Sequence, residues 1–198
     1  MAADKKELIR GAAIRVIARC GFHDATTDLI SSEAGVSVGT LYNYFSSKKH
    51  ILQYIFSVEH ARRAEYFSQV VAQQTLRPLE KIEAILRFHF ESLAQNPETA
   101  RLMYRERYLR HQFATTDETS SPLSRYLIEV LATAKQQGEL RQHDPELIGI
   151  MLAGGVEEMM NHYGQEPLAN EHRLRNAAAE IVALLDVGIR AESRSKQQ

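Results

Sequence analysis

At 198 residues, 44% apolar and 25% charged, with ten Gly and five Pro, the chain has the make-up of one folded core or a small module joined to a larger one. That excludes disordered and collagen-like sequence. A net charge of −1 excludes a nonspecific nucleic-acid coat, although residues 1–50 carry seven basic against five acidic side chains, net +2, on a body of net −3. The single Cys20 closes no intramolecular disulfide, no basic and apolar leader opens the chain, and the longest apolar run, Ile148 to Val156, is half of the roughly 18 residues a membrane span needs. A cytoplasmic protein with no membrane anchor is expected.

Apolar residues recur with helical period almost throughout. Leu8, Ile9, Ala12, Ala13, Val16, Ile17 and Cys20 form one stripe that Gly21 ends. Polar capping groups between Asp24 and Thr27 precede a short helix, Asp28 to Ala34, and Gly35 interrupts it. Ser37 caps a second short helix, Val38 to Tyr44, with Leu41 and Phe45 turned inward. A long helix starts at Lys48 and continues through Phe67 and Val71. Pro78 opens a helix closed at Asn96-Pro97, and Pro97 opens another to about His111. The Thr- and Ser-rich stretch from Ala114 to Pro122 is a loop, and a helix from Ser124 to Gln137 follows. Asp144-Pro145 starts a helix through Tyr163; the last runs from Asn170 to about Arg190, ahead of a frayed tail. No alternating strand pair and no repeat is evident, so the predicted fold is all-α with about nine helices.

The segment Thr27 to Phe45 carries the chemistry. Two short helices joined by a glycine turn fit a helix-turn-helix, because Gly35 permits the positive φ of the turn and Ala34, Val36 and Leu41 let the helices cross closely. Gly39 and Thr40 keep the second helix slim enough for the major groove, where a Thr hydroxyl or methyl meets base edges and Tyr hydroxyls reach phosphates.

Ala34-Gly35-Val36-Ser37, Gly39-Thr40-Leu41-Tyr42, Tyr44-Phe45 and Lys48, preceded by Gly21-Phe22 and Thr26-Thr27, resemble the DNA-binding domain of TetR-family (AcrR-type) transcriptional regulators over residues of about 5 to 55. One departure is Ile30-Ser31 where the family usually has Ile-Ala; a Ser hydroxyl there can bond to a backbone carbonyl. The resemblance implies a DNA-binding domain over 1–50 and a helical ligand-binding and dimerisation domain over 51–198. It also implies that Thr27 contacts a phosphate, that Ser37, Val38, Gly39, Thr40 and Asn43 lie on or near the groove, and that Tyr42, Tyr44 and Lys48 hold the DNA backbone. Thr40 and Asn43 are the candidate base readers.

For the larger part the resemblance implies a homodimer built from the last two helices, with Gly154-Gly155 and Ala177-Ala178 allowing close approach and Met159, Ile181, Val182 and Leu185 adding apolar surface. It further implies a pocket for a small-molecule inducer, with candidate lining from Phe88, His89 and Leu93, from Tyr104, Arg105, Tyr108 and His111, and from Glu158 and His162. The arginines 101, 105, 107 and 110 suggest an amphipathic anion such as an acyl-CoA thioester. No Gly-rich phosphate loop, Cys-x-x-Cys, His-Glu-x-x-His or Gly-x-Ser-x-Gly occurs, so neither an enzyme, a metal nor a cofactor is expected. The expected function is a ligand-responsive repressor of a double-stranded, near-palindromic operator; the alternative is a helical protein-interaction module whose helix-turn-helix does not read DNA.

Overall fold

Ten helices make up a computed structural model that describes residues 2–113, 122–140, 143–163 and 171–189. In chain order they are α1 (Ala2–Cys20), α2 (Thr27–Ala34), α3 (Val38–Tyr44), α4 (Lys48–Ala72), α5 (Pro78–Gln95), α6 (Pro97–Arg105), α7 (Arg107–Phe113), α8 (Pro122–Gln136), α9 (Pro145–Tyr163) and α10 (Glu171–Ile189). No strand occurs among the described residues. The polar loop expected from Ala114 to Pro122 lies outside them except for Pro122, which opens α8, and the expected frayed tail lies outside them as well.

Most helix boundaries follow from the capping residues. The Thr26, Ser37 and Ser47 hydroxyls accept from the amides of Leu29, Thr40 and His50 at 3.0–3.1 Å, satisfying N–H groups that the first turn leaves without a partner. Pro78, Pro97 and Pro145 each occupy a first helical position, and the Asp144 carboxylate accepts from the Glu146 amide at 2.9 Å. Gly21 and Gly35 end α1 and α2 at φ of 87° and 66°, values that side-chain-bearing residues rarely adopt.

The sequence predicts one helix from Pro97 to about His111, but the chain breaks at Glu106. Its backbone leaves helical geometry at φ −100° and ψ 18°, and its amide turns back to the carbonyls of Leu102 and Tyr104. Glu106 is only 7% exposed although charged, so its side chain is used in the interior rather than on a helix surface.

Two cores result. Ile9, Ala13, Ile17, Ile30, Leu41 and Phe45 form the first with Ile51, Leu52, Ile55 and Phe56 of α4, while Phe67 and Val70 further along α4 enter the second with α5, α8, α9 and α10. Leu102 of α6, fully buried, joins the first core. Four side chains of α4 and one of α6 thus complete the first core.

Candidate nucleic-acid interface and its link to the helical body

The two motif helices are positioned by α1. Arg15 donates to Glu33 at 2.7 Å and Arg19 lies 3.8 Å from the same carboxylate, fastening the end of α2 to α1, and Ile30 is fully buried between them. The Arg15 hydrogen bond holds the Glu33 carboxyl below the usual carboxylate range. Ser31, the departure from the usual Ile-Ala, is 3% exposed and donates to the Asp28 carbonyl at 3.0 Å, so the hydroxyl is satisfied within its own helix.

Leu41 and Phe45 are fully buried and orient α3, leaving Ser37, Gly39, Tyr42 and Asn43 exposed and Val38, Thr40 and Tyr44 half-buried. The Ser37 and Thr40 hydroxyls lie 2.8 Å apart, so Thr40 is held in one orientation beside the cap. The Tyr42 hydroxyl is 3.5 Å from that of Thr27, which brings two of the expected phosphate contacts together from α3 and α2. Tyr44 packs against the N-terminal core.

Lys48 is placed differently from its expected backbone contact. Its ammonium donates to the carbonyls of Phe22, His23 and Ala25 at 2.5, 3.0 and 2.6 Å and lies 4.6 Å from the centre of the Phe22 ring. An ammonium has three N–H bonds, and all three are directed at the turn between α1 and α2. Lys48 is thus a brace of that turn.

The same turn is gripped from the helical body. The Phe22 amide donates to the Glu106 carboxylate at 2.8 Å, across 84 positions of sequence, and the Arg105 guanidinium reaches the carbonyls of Arg19 and Cys20 at 3.4 and 3.2 Å. A Cβ on Gly21 would sit 2.8–2.9 Å from that guanidinium, so a larger residue there would displace the end of the Arg105 side chain, while the positive φ is what calls for glycine. Arg105, expected in a ligand pocket, instead caps the end of α1, since the break at Glu106 directs the end of α6 at the N-terminal unit. Sequence reasoning missed Glu106, because no local pattern announces a contact so distant in the chain.

The other residues expected around a ligand fall in three neighbourhoods. On α5, Phe88 stacks on Tyr66 at 3.9 Å between ring centres, and His89 meets Phe90 edge-on. At the α6–α7 junction the Arg107 guanidinium lies 4.8 and 4.5 Å from the rings of Tyr104 and Tyr108, and Tyr108 is 69% exposed. On α9, Glu158 accepts from Asn161 at 2.9 Å and His162, exposed, meets Tyr163 edge-on. The side chains of Leu93 and His111 lie outside the described residues. Three aromatic residues not among the expected ligand contacts, Tyr66, Phe67 and Tyr126, gather with Phe88 between α4, α5 and α8.

A capped helix-turn-helix packed on α1 and carrying an exposed polar helix face on a larger helical body defines the class as a DNA-binding transcriptional regulator. Residues 9–55 match the family described as bacterial regulatory proteins, tetR family, and residues 78–185 match the tetracyclin repressor-like C-terminal domain. The chain belongs to the TetR family of transcriptional regulators and is not an enzyme.

It is similar to the fatty acid metabolism regulator protein of Bacillus subtilis (strain 168), 28% identical over 151 residues that span 74% of this chain and 77% of that one. Among solved structures it resembles the fatty acid degradation regulator FadR from Bacillus halodurans with a TM-score of 0.79 and 25% identity, over 93% of this chain and 95% of that one. FadR from Bacillus subtilis, solved in complex with stearoyl-CoA, shares the fold with a TM-score of 0.75 and 24% identity, over 90% and 96% of the two chains. No helix is long and apolar enough to cross a membrane among the described residues.

Proposed function

We propose that the chain is a homodimeric repressor whose α3 helices read a near-palindromic operator and which a long-chain acyl-CoA thioester releases from DNA. The observation that carries the ligand-responsive part is the grip of Glu106 and Arg105 on residues 19–22, since it joins the helical body to the turn that leads into α2. A ligand favouring a different position of α6 acts on that turn, and lowers DNA affinity by its differential binding to the two states.

The choice of acyl-CoA is supported by the two fatty-acid regulators in this chain's likeness and by the stearoyl-CoA complex of a protein of the same fold. The arginines of α6 and α7 lend it less weight, because Arg105 serves α1 and Arg107 lies between two tyrosine rings. On the DNA side Thr27 and Tyr42 contact phosphates, Tyr44 supports the backbone contact, and Thr40 and Asn43 read bases beside Ser37, Val38 and Gly39.

Dimerisation is supported by apolar side chains left in water. Leu147, Ile150 and Met151 on α9 and Leu184 and Val187 on α10 are 53–80% exposed, and a Cβ at Gly154, Gly155 or Gly188 would meet nothing within 4 Å. Other residues expected at the interface also serve the chain's own core. Ala177, Ala178 and Leu185 are buried in the chain's own core, and Met159, Ile181 and Val182 pack against it. A twofold dimer sets the two α3 helices about 34–36 Å apart, one turn of B-DNA.

The test is selection of fragments from the source genome by the purified full-length protein at low and high salt, followed by titration of stearoyl-CoA into the complex. Enrichment of a palindrome, steep loss of affinity with salt and release by stearoyl-CoA are expected. A palindrome bound equally with and without stearoyl-CoA overturns the inducer; no enriched sequence from a folded dimer, purified through unfolding and refolding, overturns operator binding. In the same assay Asn43→Ala weakens the enriched site about 5- to 100-fold and leaves random DNA nearly unchanged, whereas equal loss on both makes Asn43 a backbone contact.

A further inference from the structure

The second core is closed by aromatic rings between α4, α5 and α8, but the far end of those three helices is open. A cavity of about 560 Å³ lies where α4 ends, α5 begins and α8 passes, a size within the range of small-molecule sites. Its walls are mixed: Val71, Leu76, Pro78 and Val130 are apolar, while Gln74 and Thr75 come from the α4–α5 connection, Thr133 and Gln137 from the α8 side, and Lys81 and Glu139 supply opposite charges. None of the residues expected from the sequence to bind an inducer lines it.

The state of each charged group narrows the occupant. Arg77 also borders the cavity, but Glu80 occupies its guanidinium at 2.8 and 3.1 Å and accepts from its backbone amide at 2.8 Å, so that charge is already paired. Lys81 is half-buried and donates to the Val71 carbonyl at 2.7 Å, which anchors the ammonium at the wall while an ammonium carries three N–H bonds. Two cations, Arg77 and Lys81, stand against two carboxylates, Glu80 and Glu139, which leaves the site nearly neutral, so a polyphosphate would lack counter-charge. An acyl chain would cover the four apolar side chains but would also strip water from Gln74, Thr75, Thr133 and Gln137 and return no hydrogen bonds, whereas a short polar molecule satisfies them.

We infer that this cavity binds a small polar zwitterion of the amino-acid or dipeptide type, with its carboxylate on Lys81, its ammonium on Glu139 and its amide groups on Gln74 and Gln137. The site is separate from the aromatic cluster and takes a different ligand class from the proposed inducer. It holds the end of α4, whose other end carries Lys48, about 36 Å away at the usual helical rise.

The test is calorimetric titration of the full-length protein with L-glutamine, L-lysine and glycyl-L-glutamine, with sodium acetate and ammonium chloride as single-charge controls. Saturable binding of at least one zwitterion is expected, weakened about tenfold or more by Lys81→Met and by Glu139→Gln and unchanged by Phe88→Leu. Both site variants are at or near the surface, and circular dichroism checks that they fold. Absence of saturable heat for all three probes up to about 10 mM, beyond the range of a specific site, overturns the inference. So does binding that survives both substitutions, or acetate binding as tightly as the zwitterions. None of these outcomes bears on operator selection or on stearoyl-CoA.

Discussion

Ser37 does two things with one oxygen: it accepts from the Thr40 amide at 3.0 Å and lies 2.8 Å from the Thr40 hydroxyl. The first is a helix cap and the second fixes the side chain proposed to meet a base edge. Ser37→Ala therefore removes about 1 kcal/mol of stability, read as a lower urea midpoint, and also broadens the preferred operator sequence beside Thr40; an unchanged sequence preference would reduce Ser37 to a cap. Glu33 gives a pH prediction. Its carboxyl is depressed in the folded state by the Arg15 hydrogen bond, so its contribution is present above the unfolded carboxylate value and is lost as pH falls through the lower folded one. Stability measured from pH 6 down to about pH 3 should fall less steeply in Glu33→Gln than in the parent chain, and parallel curves would contradict the assignment.

Between elements, the decisive joint is that of α6 with α1. Leu102 is fully buried in the first core, Glu106 receives the Phe22 amide, and Arg105 lies over Gly21. Glu106→Ala leaves that amide without its acceptor, at a cost of about 1–3 kcal/mol, and hydrogen exchange at Phe22 should accelerate about tenfold or more in the free protein. Unaltered exchange there would mean that the turn is held by Lys48 alone. The helices themselves were legible because proline, serine and glycine stand at their ends with a local physical reason. The break at Glu106 was not, since nothing in residues 97–111 contradicts a continuous helix; the reason for it lies at Phe22, in another part of the chain.

Across the whole molecule, the exposed face of α9 and α10 is the largest departure from a self-sufficient chain. Leu147 and Met151, one helical turn apart, are 66% and 61% exposed. Replacing both with Glu places like charges on the proposed twofold interface, so light scattering should report a monomer with a helical spectrum and with operator affinity reduced about 100-fold or more, as two half-sites no longer act together. A dimer that persists with full operator affinity would move the interface elsewhere.

The all-α class, the ends of most helices, the turn at Gly35 and the exposed face of α3 are local properties, because caps, positive-φ glycines and the 3.6-residue period act over a few neighbouring residues. Tertiary structure decided what Lys48, Arg105 and Glu106 do. Each is a long charged side chain whose local surroundings fit DNA, a ligand or solvent equally well, and each was assigned its partner by the packing of α4 and α6 on the turn after α1. Charge type is local; the atom that satisfies it is set by the fold.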